Sequence, residues 1–150
     1  LWELSKEIQQ LKQRAKNQGF KFAVRLNGTS DLAWHRMKLD GGSTLMQLHP
    51  DVQFYDYTKV LNYLDHDLKN YNITFSDSGA NDADIKQAMK KGHNVAVVFK
   101  NALPKKYQGR RVIDGDLHDL RFKDPRGVVV GLIAKGKARH DTNNKFVRAG

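Results

Sequence analysis

The chain has 150 residues, no cysteine, and 26 Lys plus Arg against 16 Asp plus Glu, for a net charge of +10. That length fits one domain with a self-sufficient core. The missing thiols exclude disulfide frameworks, thiolate zinc sites, thiol nucleophiles and iron–sulfur clusters held by this segment. No apolar run approaches the ~20 residues of a membrane span. The opening Leu1-Trp2-Glu3-Leu4 runs directly into a charged pattern and not into a signal peptide. With no initiator Met, the chain is expected to be a processed product or a fragment of something longer. The basic excess points to a polyanionic partner, nucleic acid first and a phosphorylated ligand second, beside the plainer reading of a basic soluble protein.

Leu4, Ile8, Leu11 and Ala15 recur at helical spacing among polar residues, and Asn17-Gln18-Gly19 stops the helix. Phe20 to Leu26 reads as a strand, followed by a loop through Asp31. Trp34-His35-Arg36 and Gly41-Gly42 mark an irregular stretch. Ser43 is placed to cap a short helix carrying Leu45, Met46 and Leu48. Val52 to Tyr57 is a strand and Val60 to Leu68 a weak helix. Asn72 to Ser76 is the next strand. Asn81 is placed to cap a helix that Gly92 ends. Asn94 to Phe99 is a continuous apolar strand of the kind found in parallel sheets covered on both faces. Arg111 to Asp114 and Val128 to Ala134 complete the set, and the tail from Lys135 is basic and polar. This alternation has the size of repeated βα units. It predicts a single α/β domain over residues 1–150 with a mainly parallel sheet, as an open sheet or a partial barrel. The chain is too short for an eight-fold barrel of ~250 residues.

Ligands of parallel α/β folds bind beyond the carboxyl ends of the strands. The residues there are Arg25, Asn27, Thr29 and Asp31; Asp56, Tyr57 and Thr58; Ser76, Asp77, Ser78 and Asn81; Lys100 and Asn101; and Asp114, Asp116 and Asp119. Turn chemistry alone also favours Asn, Asp and Ser at such positions. Asp114-Gly115-Asp116-Leu117-His118-Asp119 could hold a hard divalent cation such as Mg²⁺ through Asp114, Asp116 and Asp119. The plainer reading is an Asp-Gly turn whose acids pair with Arg110, Arg111 and Arg121. The helix opening at Asn81 could take a phosphate on its amides, but Asp82 and Asp84 would repel it. Lys105, Lys106, Arg110 and Arg111 surround Tyr107, and Lys135, Lys137 and Arg139 crowd the tail. Such residues suit a phosphate backbone, with the aromatic ring under a base. Trp34 and His35 on the long second loop fit ligand contacts, and the plainer reading is that Trp34 seals the edge of a core. No Walker loop, G-x-G-x-x-G, His-x-x-x-His or Gly-x-Ser-x-Gly occurs.

Five blocks are long and unusual: FAVRLNGTSD (22–31), PDVQFYDYT (50–58), NVAVVFKNALP (94–104), VIDGDLHDLR (112–121) and DPRGVVVGLIAKGK (124–137). Together they resemble the C-terminal part of a phage- and plasmid-borne family, the gene product eighty-eight-like proteins. The resemblance covers most of the chain. It implies a viral or mobile-element origin, a half-barrel fold and location in the host cytoplasm, and it supplies no substrate. Longer members resemble radical-SAM enzymes in a cysteine-rich start. An iron–sulfur cluster and SAM are therefore implied only for a chain carrying that segment, which these 150 residues lack.

Two functions follow. In the first, the domain is the C-terminal half of a radical-SAM-like enzyme acting on a nucleotide or nucleic acid. Arg25, Asn27, Thr29, Asp31, Asp56, Thr58, Ser76 and Ser78 then line the ligand site, with Arg25 clamping an anionic group and Asp56 accepting from a base or sugar. In the second, it is a non-catalytic basic module that grips nucleic acid through Lys105, Lys106, Arg110, Arg111, Lys135, Lys137 and Arg139. An enclosed pocket at the strand ends favours the first and a flat basic face the second. Neither reading requires a membrane.

Overall fold

The computed structural model describes residues 1–135 together with Val147 and Arg148. Its helices are α1 (Trp2–Asn17), α2 (Leu45–Leu48) and α3 (Asp82–Lys90). Its strands are β1 (Ala23–Arg25), β2 (Gln53–Thr58), β3 (Tyr71–Ser76), β4 (Val95–Phe99), β5 (Lys106–Tyr107), β6 (Arg110–Asp114), β7 (Val129–Ile133) and β8 (Val147–Arg148). They form an eight-stranded mixed sheet in the order β1-β2-β3-β4-β7-β6-β5, with β8 beside β4. All pairings are parallel except the β5–β6 hairpin. The sheet is open, with β1 and β5 at its edges.

The parallel pattern follows from the apolar runs. Val95, Val97 and Phe99 of β4 point to one face, where Ile85, Ala88 and Met89 of α3 cover them together with Phe75 and Val129. Farther along the same face, α1 lays Ile8 over Val52, Phe54 and Tyr71, and α2 adds Leu45 and Met46. Among the described residues only α3 supplies a regular helical crossover, between β3 and β4. Short 3-10 turns and the four-residue α2 serve the other parallel connections among the described residues. The full repeat of βα units expected from the sequence is thus reduced to one regular unit.

Several local expectations are corrected, each for a physical reason. The short helix is capped by Thr44 and not by Ser43. Thr44 Oγ1 accepts from Gln47 N while Gln47 Oε1 accepts from Thr44 N, and that reciprocal box needs a Gln or Glu three residues on. From Ser43 the third residue is Met46. The helix expected over 60–68 is only a 3-10 turn, Leu61–Leu64. Asp65 leaves helical geometry, and Leu68 N bonds to the His66 ring instead of to a helical carbonyl. Asn81 stands at the start of α3 without capping it through its side chain. Its amide accepts from Ser78 N and donates to Ser76 O, holding the turn after β3. The first strand shrinks to Ala23–Arg25 because it pairs with β2 alone, and Phe20 is left 69% exposed.

The second face of the sheet positions the site. Parallel partners share a face, so the alternation puts Arg25, Tyr55, Tyr57, Ser76, Ala96, Val98, Val130 and Leu132 opposite the helices. The segment between β6 and β7 crosses part of this face. Phe122 rests on Tyr55 at 5.4 Å, and Arg121 is buried at 1% exposure.

Candidate functional site

A cavity of about 720 Å³ opens at the carboxyl ends of β1 to β4, β6 and β7. Ala96, Val98 and Leu132 give it an apolar floor, with Ser76 beside them. One wall is the loop after β1, from Asn27 to Asp31. The opposite wall is the loop after β6, with Gly115, Asp116, His118 and Asp119. Arg25, Tyr57, Thr58, Lys59, Asp77 and Lys135 complete the lining.

The first wall is built by one buried side chain. Asn27 Oδ1 accepts from Ser30 Oγ, Leu32 N and Trp34 Nε1, and Asn27 Nδ2 donates to Leu32 O. These bonds fold residues 28–31 back over the strand end. Trp34 therefore fixes this loop and packs on the helical core. The N–H groups of Gly28, Thr29 and Ser30 have no partner among the described residues.

The second wall depends on Gly115 and Arg121. A Cβ on Gly115 would sit 2.6 Å from Val130 Cγ1, 2.7 Å from Arg121 Nη1 and 2.8 Å from Leu132 Cδ2. Only glycine admits the buried guanidinium, which donates to Gly115 O at 3.3 Å and pairs with Asp124 at 3.4 Å. His118 Nδ1 accepts from Leu120 N at 3.1 Å, so its neutral ring carries the proton on Nε2.

Three of the four cavity carboxylates are tied to the backbone. Asp31 accepts from Thr58 Oγ1 and Lys59 N, both at 2.7 Å. Asp77 accepts from Gly79 N and takes a two-pronged bond from Arg148 at 2.8 and 3.0 Å. Asp116 accepts from Ile133 N at 2.9 Å. Asp119 differs: among the described residues its carboxylate meets only Arg25 Nη1 at 3.3 Å and Tyr57 OH at 3.4 Å. The Arg25 guanidinium also lies 4.8 Å from the Tyr57 ring centre. Burial pushes the Tyr57 hydroxyl up to about 12, so it stays protonated and can donate.

Of the residues expected at the ligand site, the structure brings Arg25, Asn27, Thr29, Asp31, Thr58 and Ser76 to this cavity. Asp56 is placed elsewhere. It is 1% exposed on the helical face, accepting from Asn27 N at 2.7 Å and from Tyr71 OH at 2.6 Å. Each oxygen accepts one bond from within the protein, so Asp56 holds the loop from below, and its burial on the helical face keeps it out of the cavity. Burial raises its pKa, against the pull of the two donors. Ser78 belongs to the turn before α3, where its Oγ accepts from Ala80 N.

Asp114, Asp116 and Asp119 do not converge, and among the described residues no three His, Asp or Glu side chains gather as metal ligands. Asp114 instead accepts from Asp116 N, while Asp116 and Asp119 have the partners given above. The cause is the Asp-Gly turn, which points successive carboxylates in different directions. Lys105, Lys106 and Arg111 are exposed on the β5–β6 hairpin, whereas Arg110 turns toward His93 O. The Tyr107 ring stands at 82° to that of Phe99, with centroids 5.3 Å apart. Lys135 lies at the cavity, 3.5 Å from Asp116, and Lys137 and Arg139 lie outside the described residues.

Compared with known families, residues 1–149 match the model described as Gene product 88. The chain belongs to the Gene product 88 family. No curated protein and no solved structure is detectably similar to it. Among the described residues of this family member, no helix is long and apolar enough to cross a membrane.

What sequence reasoning missed in the site is mostly apolar or structural. Ala96, Val98 and Leu132 read as ordinary core residues, because a strand sequence does not say which of its faces is left uncovered. Arg121 reads as a surface partner for nearby acids, and Asp124 only three residues on was its one signal. Lys59 directly follows Thr58, and chain position alone could have found it.

Proposed function

We propose that this domain binds a nucleotide-sized, phosphate-bearing molecule over its strand ends, as the ligand-binding part of an enzyme. The observation that carries the reading is the polarity of the cavity. Its acceptors are largely engaged within the protein, while His118 Nε2, the Gly28–Ser30 amides and the Ser76 hydroxyl remain as donors. A ligand that satisfies donors is rich in acceptor oxygens, and the floor of Ala96, Val98 and Leu132 suits a flat, less polar body. The volume falls in the range of small-molecule sites, ~300–1,000 Å³. The finer reading, the substrate half of a radical-SAM-like enzyme, requires cluster ligands outside these residues. The chain has no thiolate to offer a cluster.

Thermal denaturation of the whole chain with a panel of nucleoside mono-, di- and triphosphates tests the proposal. A ligand at one hundred times its dissociation constant stabilises by about 2.7 kcal/mol, which is a measurable rise in melting temperature. No rise with any of them at millimolar concentration overturns it.

A second reading has its own observation. Lys106 and Arg111 are direct cross-strand partners in the hairpin, an arrangement of like charges that is unfavourable unless an anion lies over it. Titrating a labelled duplex at several salt concentrations tests a nucleic-acid role. Four phosphate contacts give a log–log slope of about −3.6. Replacing Lys105, Lys106, Arg110 and Arg111 with Ala flattens it, and an unchanged slope removes this reading.

A further inference from the structure

We propose that Arg25 and the Tyr57 hydroxyl form an anion subsite, that Asp119 occupies it in the free protein, and that a ligand phosphate takes Asp119's place. The inference rests on the small-ligand reading above and gives it an address within the cavity.

The two donors are fixed. Arg25 and Tyr57 stand on the adjacent strands β1 and β2, and the guanidinium is packed over the phenol ring at 4.8 Å. Their acceptor is carried by a loop. Asp119 presents one carboxylate oxygen to Arg25 and the other to Tyr57, as two oxygens of a phosphate would. Its hold is loose. Contacts of 3.3 and 3.4 Å exceed the ~2.7–2.9 Å of a firm charge-assisted bond. The Arg25 side chain is 31% exposed and that of Asp119 55%, so water competes for both.

The neighbouring carboxylates make the contrast. Asp31, Asp77 and Asp116 each take a backbone N–H at 2.9 Å or less and so belong to the scaffold. Asp119 takes none among the described residues. An acid that among the described residues is held by two side-chain donors alone, in a cavity whose other carboxylates are tied to the backbone, is the group most easily exchanged for a ligand anion. The exchange would also free the Asp119 carboxylate, and with it the 115–119 wall from its link to β1 and β2.

The test uses the whole chain with inorganic phosphate, a nucleoside 5′-monophosphate and the matching nucleoside, measured by titration calorimetry, with circular dichroism confirming the fold. Asp119→Asn removes the competing charge and is expected to tighten phosphate and monophosphate roughly twofold to fivefold, the strength of one exposed ion pair. It leaves the nucleoside unaffected. Arg25→Gln is expected to weaken both anions at least roughly tenfold, the scale of one hydrogen bond to a charged group. Arg25→Lys, which keeps the charge without the fork, falls between. Unchanged or weaker anion binding in folded Asp119→Asn overturns the inference, as does full binding in folded Arg25→Gln. The small-ligand reading fails separately. If phosphate binding responds to both variants but the monophosphate binds no tighter than phosphate, the subsite stands and the nucleotide falls. If the monophosphate binds but ignores both variants, the nucleotide stands and the subsite falls.

Discussion

Replacing Asp56 with Ala tests whether this acid is part of the scaffold or of the ligand site. The side chain is 1% exposed and receives two donors, Asn27 N at 2.7 Å and Tyr71 OH at 2.6 Å. Removing it leaves both donors unpaired in a place water does not reach. Each orphaned buried donor costs about 1–3 kcal/mol, so the two together cost about 2–6 kcal/mol by that rule. Relief of a desolvated charge offsets part of this, because burial already raises the Asp56 pKa. A net loss of about 2–3 kcal/mol remains. Asp56→Asn keeps one acceptor and the shape, and is expected to cost less than Asp56→Ala. Tyr71→Phe removes one donor only. In a double-mutant cycle Asp56→Ala and Tyr71→Phe should therefore be non-additive, coupling by about 1 kcal/mol or more. Urea denaturation at neutral pH, with equal slopes across the set, measures these values. A loss below about 0.5 kcal/mol for Asp56→Ala, the range of ordinary surface substitutions, refutes the scaffold role.

Arg148→Ala is expected to cost about 3 kcal/mol, since it strands the fully buried Asp77 carboxylate, and the thermal midpoint should drop accordingly. His35, His49, His66 and His93 all have pKa values lowered, first by burial. Below their ordinary value of ~6.5 the unfolded chain takes up protons that the folded chain refuses. Stability is therefore present above that value and lost as pH falls through the lowered folded values. Urea midpoints should decrease from roughly pH 7 to pH 5, and a flat profile would contradict the burial of these rings.

The sequence by itself determined the local periods. The alternation of apolar runs with helical stripes settled an α/β chain with a mostly parallel sheet, because burial on both faces demands runs such as Asn94 to Phe99. It also settled which loops meet at the strand ends, since parallel strands leave all their carboxyl ends on one side. Arg25, Asn27, Asp31 and Ser76 followed from that rule alone. Tertiary structure decided which way each residue points and what it has already bonded to. Asp56 and Tyr57 are neighbours in sequence, yet the pleat sends Asp56 into the helical face and Tyr57 toward the cavity. Asp116 and Asp119 lie three residues apart, yet one is tied to Ile133 N and the other meets Arg25 and Tyr57. These partners lie 17, 94 and 62 residues away in the chain. Spacing in sequence carries no information about contacts at that range, because only the packed sheet brings them within hydrogen-bond distance.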